Sequence, residues 1–155
     1  MNTEGKDVVI TPEYLVGFTE GDGCFLVNLR KDNRIEFRYF ISQAIGNRPL
    51  LEAIKKFMRV GNVYQKSTKN GKLPACVYEV SKRDDIYKVI IPFFHKHRLR
   101  GIKAISFGIF EEIALLVKGR QDIRKLSFDE KKYITNLRSG MNKHYDSLSA
   151  EKPHA

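Results

Sequence analysis

The segment from Thr11 to Gly23, TPEYLVGFTEGDG, most narrowly limits what this chain can fold into. Thr11 is placed to cap a helix, Pro12 fits its first position and Glu13 its first turn. The helix is expected to stop at Gly21-Asp22-Gly23, about ten residues on. Gly17 and Gly21 stand on one face, and each glycine costs a helix about 1 kcal/mol against alanine. The pair therefore calls for a packing reason, such as a second helix approaching backbone to backbone. Asp22 falls at the helix C-terminus, where the macrodipole is negative and a carboxylate is disfavoured; a bound cation would offset that penalty.

The charge is as uneven as the glycines. In 155 residues, 28 Lys and Arg face 18 Asp and Glu, a formal +10, and such an excess favours a polyanionic partner, nucleic acid first. The excess lies in residues 24–48, 61–83 and 92–110, whereas residues 1–23 hold one lysine against five acids. A merely solvated surface would mix the signs more evenly. Cys24 and Cys76 have no CxxC partner, which excludes a disulfide framework or four-cysteine zinc site and predicts reduced thiols in an intracellular protein. With no basic-then-apolar leader and no apolar run of membrane-spanning length, the chain is expected to be neither secreted nor membrane-integral. One domain over 1–146 is expected, with a disordered tail over 147–155.

After the helix, Phe25, Val27 and Leu29 alternate with Leu26, Asn28 and Arg30, the period of a half-buried strand. A turn at Asp32-Asn33 leads to a second alternation, Ile35, Phe37, Tyr39 and Ile41 against Arg34, Glu36 and Arg38. Together they predict a hairpin with a polar, mostly cationic outer face. Asn47 is expected to cap a helix whose apolar stripe is Leu50, Leu51, Ile54, Phe57 and Met58, with Gly61 closing it. Asn70-Gly71 centres a second hairpin between Val63 to Ser67 and Ala75 to Val80. Ser81 is read as the cap of a helix through Ile86, Val89, Ile90 and Phe93 that Pro92 bends. A core helix over Ile102 to Val117 follows, and Ser127 with Glu130 forms a capping box for another. This order describes an α+β domain: a four-stranded antiparallel sheet with one cationic face and a helical layer on the other.

Leu15 to Gly23 resembles the motif of the LAGLIDADG homing endonucleases. Leu15, Gly17, Asp22 and Gly23 match its letters, Phe18, Glu20 and Gly21 are substitutions the family shows, and Val16 and Thr19 depart from it. The αββαββα order over residues 11–118 is similar to the family core. The resemblance implies a saddle-shaped sheet seated in the major groove of double-stranded DNA. It also implies two motif helices packed side by side, so that a chain with one motif works as a homodimer with Leu15, Val16, Gly17, Glu20 and Gly21 at the interface. A divalent ion is implied at Asp22, with the Gly21 carbonyl as a further ligand: Mg2+ or Mn2+ for cleavage, Ca2+ for binding alone. Gln43, at the end of the second strand, and Lys103, with Arg100 as the alternative, match the residues that assist the reaction. The activity implied is a double-strand break in a long pseudo-palindromic site, by an intron-encoded protein of a chloroplast or mitochondrion.

Each of these residues also has a plainer reading. Asp22-Gly23 can be a helix-ending turn, Gln43 a strand end on the face of Phe37 and Tyr39, and Lys103 an ordinary helix-start lysine. Asn28, Arg30, Arg34, Glu36 and Arg38 can be a solvated face, but as a set they fit base readout, Arg bidentate to guanine and Glu accepting from cytosine. Lys66, Lys69 and Lys72, with Thr68 beside them, lie by a flexible turn and lack a planar fork, which favours phosphate contact. Tyr64 and Tyr78 read as sheet packing, and Tyr78 also as a DNA contact. His95 and His97 alternate like metal ligands without further partners, which favours phosphate or solvent. Strands of about seven residues span about 23 Å, near seven base pairs, so two sheets and a central gap address roughly 20 base pairs. The rival reading is a binding module on the same fold, either an intron RNA-splicing maturase or a DNA-binding protein that does not cut.

Overall fold

In the computed structural model, which describes residues 7–67 and 73–141, Thr11 caps the first helix as its position predicts. Its side chain accepts from the Tyr14 backbone N–H at 3.1 Å, and α1 runs Pro12–Asp22. The helix ends against the sheet because Gly23 begins β1 (Gly23–Leu29) at once. A Cβ on Gly23 would lie 2.6 Å from Thr19 Cγ2, so only glycine lets the strand leave the helix this closely. Thr19, one of the departures from the motif, is fully buried and shares a 2.7 Å hydrogen bond with the Tyr39 hydroxyl. Burial pushes the Tyr39 phenol well above its usual range, so it stays protonated beneath the sheet.

β1 pairs with β2 (Ile35–Ala44), and the hairpin turns through Asn33 in the left-handed conformation at φ 64°. Asparagine is among the few residues that tolerate it. Among the described residues the sheet has four strands in the order β1-β2-β4-β3, all neighbours antiparallel, with β3 at Asn62–Lys66 and β4 at Ala75–Val80. β2 and β4 are the central pair. One sheet face is covered by helices: Phe25 sits among Tyr39, Phe94, Phe107 and Phe110 with ring centroids 5.2 to 5.4 Å apart. Edge-to-face and tilted rings at this spacing add to the area they bury.

α2 (Arg48–Met58) carries the predicted stripe, with Leu51, Ile54 and Met58 buried. Its ends differ from expectation. Asn47 makes no side-chain cap, and Arg59 takes the left-handed closing position at φ 62° ahead of Gly61. Ser81 also stays outside its helix, since α3 (Arg83–Asp85) begins at Lys82 without a side-chain cap. A π-helical turn (Ile86–Ile90) joins α3 to α4 (Ile91–Lys96). It precedes Pro92, whose ring crowds the carbonyl four residues back and whose missing N–H breaks the regular ladder, so the bend is taken up upstream of the proline.

α5 (Ile102–Leu116) packs on β1, and α6 (Phe128–Gly140) starts with both halves of the predicted Ser127–Glu130 capping box. Arg138 Nε donates to the Val27 carbonyl at 2.8 Å and Arg120 holds Glu130, so α6 is tied to the core at both ends. Among the described residues, no helix is long and apolar enough to cross a membrane. The predicted Asn70-Gly71 turn, with Thr68, Lys69 and Lys72, and the tail from Ser147 lie outside the described residues.

Candidate nucleic-acid interface and catalytic rim

Strand alternation divides the candidate residues between two places. On the open face of the sheet, Cys24, Leu26 and Asn28 of β1 stand opposite Phe40, Arg38 and Glu36 of β2, and Phe40 stands opposite Glu79 of β4. Tyr64 and Lys66 of β3 fall on the same face. At the end of β2 the chain turns toward the C-terminus of α1, and there the polar rim is built.

At that rim, Asp22 is exposed and its Oδ2 accepts from Gln43 Nε2 at 2.7 Å. Two residues 21 apart are brought together because α1 ends where β2 ends, Gly23 pairing with Ile41 across β1 and β2. Gln43 Nε2 also lies 3.0 Å from the Ser42 carbonyl, and Gln43 Oε1 accepts from Asn47 Nδ2 at 2.8 Å. Asn47 is the member of this chain that the sequence assigned elsewhere.

Lys103, in the first turn of α5, is only 8% exposed. It lies near enough to Cys24 for its charge to lower the thiol pKa, although burial, the larger effect, pushes the thiol up. Cys24 is two residues from Asp22, so Lys103 acts at the end of β1 where the rim lies. The backbone N–H groups of Arg100 and Gly101 donate to Glu20, and Arg100 lines a cleft of about 450 Å³ with Glu13, Val16, Gly17, Glu20, His97 and Arg98.

The expected interface residues separate in the same way. Gly17 and Gly21 are exposed, and a Cβ on either would meet nothing within 4 Å. Nothing among the described residues therefore accounts for them. Leu15, by contrast, is 0% exposed and belongs to the core of its own chain, which removes it from any interface. Glu20 is occupied in bolting α1 to the start of α5.

On the open face, Arg38 is held by Glu79 in an ion pair, and Tyr64 donates to the same Glu79 oxygen at 2.9 Å. The Arg38 Cζ stands 5.3 Å from the Phe40 ring centroid, a cation–π distance that fixes the guanidinium plane. The hydrogen bond to Glu79 raises the Arg38 pKa further, and burial together with Glu79 raises that of Tyr64, so one stays charged and the other protonated. Asn28 Nδ2 donates to Glu36 at 3.3 Å, Arg30 pairs with Asp32 at 3.2 Å, and Arg34 and Lys66 are exposed. Tyr78 is corrected: alternation puts it on the helical side, 0% exposed, with its hydroxyl donating to the Val60 carbonyl. Glu79 escaped the sequence reading because its outward position shows only once β4 is known to pair with β2.

The residues present fit a divalent ion of a particular kind. Among the described residues, no three His, Cys, Asp or Glu side chains gather closely enough to hold a metal. One exposed carboxylate suits a hard cation that keeps waters and takes its remaining ligands from phosphate, as Mg2+ does, and not an all-protein cage.

The profile of the LAGLIDADG endonucleases matches residues 15–114. The chain belongs to the LAGLIDADG endonuclease family. It is 28% identical over 137 residues to probable intron-encoded endonuclease 2 of Neurospora crassa, a match covering 84% of this chain and 29% of that one. The homing endonuclease I-SmaMI, solved bound to cleaved DNA, is 26% identical with a TM-score of 0.74, over 90% of this chain and 46% of that one. The homing endonuclease I-TnaI shares the fold at 23% identity and a TM-score of 0.73, over 92% of this chain and 96% of its own. The chain thus spans less than half the length of the Neurospora protein and of I-SmaMI.

Proposed function

We propose that this LAGLIDADG family member is a site-specific, divalent-metal-dependent DNA endonuclease that makes a double-strand break as a homodimer. The observation that carries the reading is the Gln43–Asp22 contact at 2.7 Å, an acid and a neutral amide at the exposed rim of a sheet whose open face carries Arg38 and Lys66. Phosphates approaching that face arrive at an unneutralised carboxylate, which only a bridging cation makes favourable.

A bound Mg2+ or Mn2+ would lower the pKa of a water and stabilise charge on the scissile phosphate; Ca2+ is expected to support binding without cleavage. This chain's own residues do the rest. Asp22, and the Gly21 carbonyl one residue before it, would hold the ion. Gln43 donates to one Asp22 oxygen, and the amide is placed to hydrogen-bond a water at the rim. Lys103 adds positive charge at the end of β1, where it opposes the build-up of negative charge on the phosphate.

One acid per chain cuts one strand, so a double-strand break calls for two chains. The open space over Gly17 and Gly21 supports a partner helix at that face. Family relatives named as intron-encoded support an intron-borne, organellar origin. A plasmid library of randomised sites, incubated with Mg2+ or EDTA, tests the activity: linearised plasmid with Mg2+ alone is expected. Retention of DNA without cleavage in any divalent metal would replace this reading with a binding module.

A further inference from the structure

We propose that Asn47 is a positioning residue for this reaction, anchoring the Oε1 end of the Gln43 amide whose NH2 faces Asp22. The inference rests on the endonuclease reading above. Asn47 stands at the N-cap of α2, where an asparagine ordinarily accepts from the N–H of the second or third helical residue. Here the second is Pro49, which has no N–H, and the Asn47 backbone lies at φ −92°, ψ 10° and not in the extended region that a capping residue adopts. The side chain makes no cap and reaches back across the turn to Gln43.

A glutamine amide has two ends of nearly the same shape and opposite hydrogen-bonding character. An ionised Asp22 only accepts, so Gln43 must face it with Nε2, as it does at 2.7 Å. A flipped Gln43 would oppose its Oε1 to the carboxylate and its NH2 to the NH2 of Asn47. Asp22 and the Ser42 carbonyl, 3.0 Å from Nε2, only accept and so keep the NH2 on their side, and the Asn47 bond at 2.8 Å then holds the Oε1 end of the amide in place. Asn47 touches neither Asp22 nor the reacting atoms by this account; it acts through Gln43.

The discriminating variant is Asn47→Asp. Aspartate caps a helix as well as asparagine does, so a residue that served only α2 would leave rate and melting temperature unchanged. As a positioning residue, Asn47→Asp presents an acceptor where Gln43 needs a donor and turns the amide away from Asp22. Single-turnover cleavage in Mg2+ of a plasmid carrying the selected site is expected to fall about 10- to 100-fold in both Asn47→Asp and Asn47→Ala, with DNA affinity unchanged in Asn47→Ala. In a Gln43→Ala background the Asn47 substitutions are expected to have no further effect. The Gln43 side-chain amide resonances of 15N-labelled protein, without DNA or metal, are expected to shift in Asn47→Asp.

Wild-type cleavage by Asn47→Asp, or an equal loss in the Gln43→Ala background, would overturn the proposal. Unmoved Gln43 resonances would do the same whether or not the protein cleaves DNA. A wild-type protein that cuts nothing would sink the endonuclease reading, and the resonances would still decide the role of Asn47.

Discussion

The sheet carries two polar clusters, each with one carboxylate, and they are built oppositely. At the rim, Asp22 is exposed and accepts from the neutral amide of Gln43, itself held by Asn47. At mid-sheet, Glu79 is 17% exposed and gives one oxygen to both the Arg38 guanidinium and the Tyr64 hydroxyl. The rim keeps its negative charge available; the mid-sheet cluster cancels it internally. A carboxylate with a neutral donor beside it can still attract a cation, whereas one clamped by arginine has become a brace for that arginine. Composition alone treats Asp22 and Glu79 as equals, and their neighbours give them opposite work.

The largest expected effect breaks the rim. Asp22→Asn keeps the shape and a hydrogen-bonding side chain but removes the charge, so DNA cleavage in Mg2+ should fall by several orders of magnitude while gel-shift affinity in Ca2+ is retained. Wild-type cleavage by that variant would mean the rim is not the metal site. Gly17→Leu comes next. The space over Gly17 is open within the chain, so the monomer should fold, while a partner helix is pushed away. Sedimentation should show loss of the dimer, or nicking should replace linearisation.

At mid-sheet the effects should be smaller and of another kind. Arg38→Ala should relax base preference at one or two positions in each half-site, costing about 1 to 3 kcal/mol of discrimination, read from cleavage of a site library. Glu79→Gln sharpens the comparison: it removes the brace and a negative charge, so affinity for all sequences should rise while discrimination at the Arg38 position falls. Lys66→Ala should weaken every sequence alike and reduce the slope of log affinity against log salt by about one.

The smallest effect concerns a third carboxylate, remote from DNA. Arg120, with the Ser127 backbone, holds the Glu130 carboxyl down to about 2. A depressed carboxyl contributes stability above its unfolded value of 4.5 and loses it as pH falls through about 2. The melting temperature of Glu130→Gln should therefore sit slightly below wild type at neutral pH and converge with it near pH 2. The pair is half-buried and still reached by solvent, so the gap should shrink with salt.

Much of this architecture was readable from local pattern. The capped motif helix, the alternation of β1 and β2 and the capping box of α6 are decided by neighbours within a few residues, where propensity and periodicity act. The misread positions share a different cause. Asn47, Ser81 and Gly61 all have the right chemistry for a helix end, yet Pro49 removes a donor at one end, Arg59 tolerates the left-handed turn at another, and the α3 start needs no side-chain cap. Tyr78 and Glu79 are adjacent and face opposite sides by alternation, but which side the helices cover is set by the fold.

The list of elements, the sign and place of the charge, and the lone acid at a glycine-flanked helix end are legible along the chain, because each depends on spacing within one segment. Which side chains meet depends on the folded chain: Gln43 with Asp22 on one side and Asn47 on the other, Arg38 with Glu79 and Tyr64, Glu20 with the start of α5. Those contacts join residues that strand order and helix ends bring together across the sheet. Hydrogen bonds between them depend on distances of a few ångströms, which no one-dimensional pattern specifies.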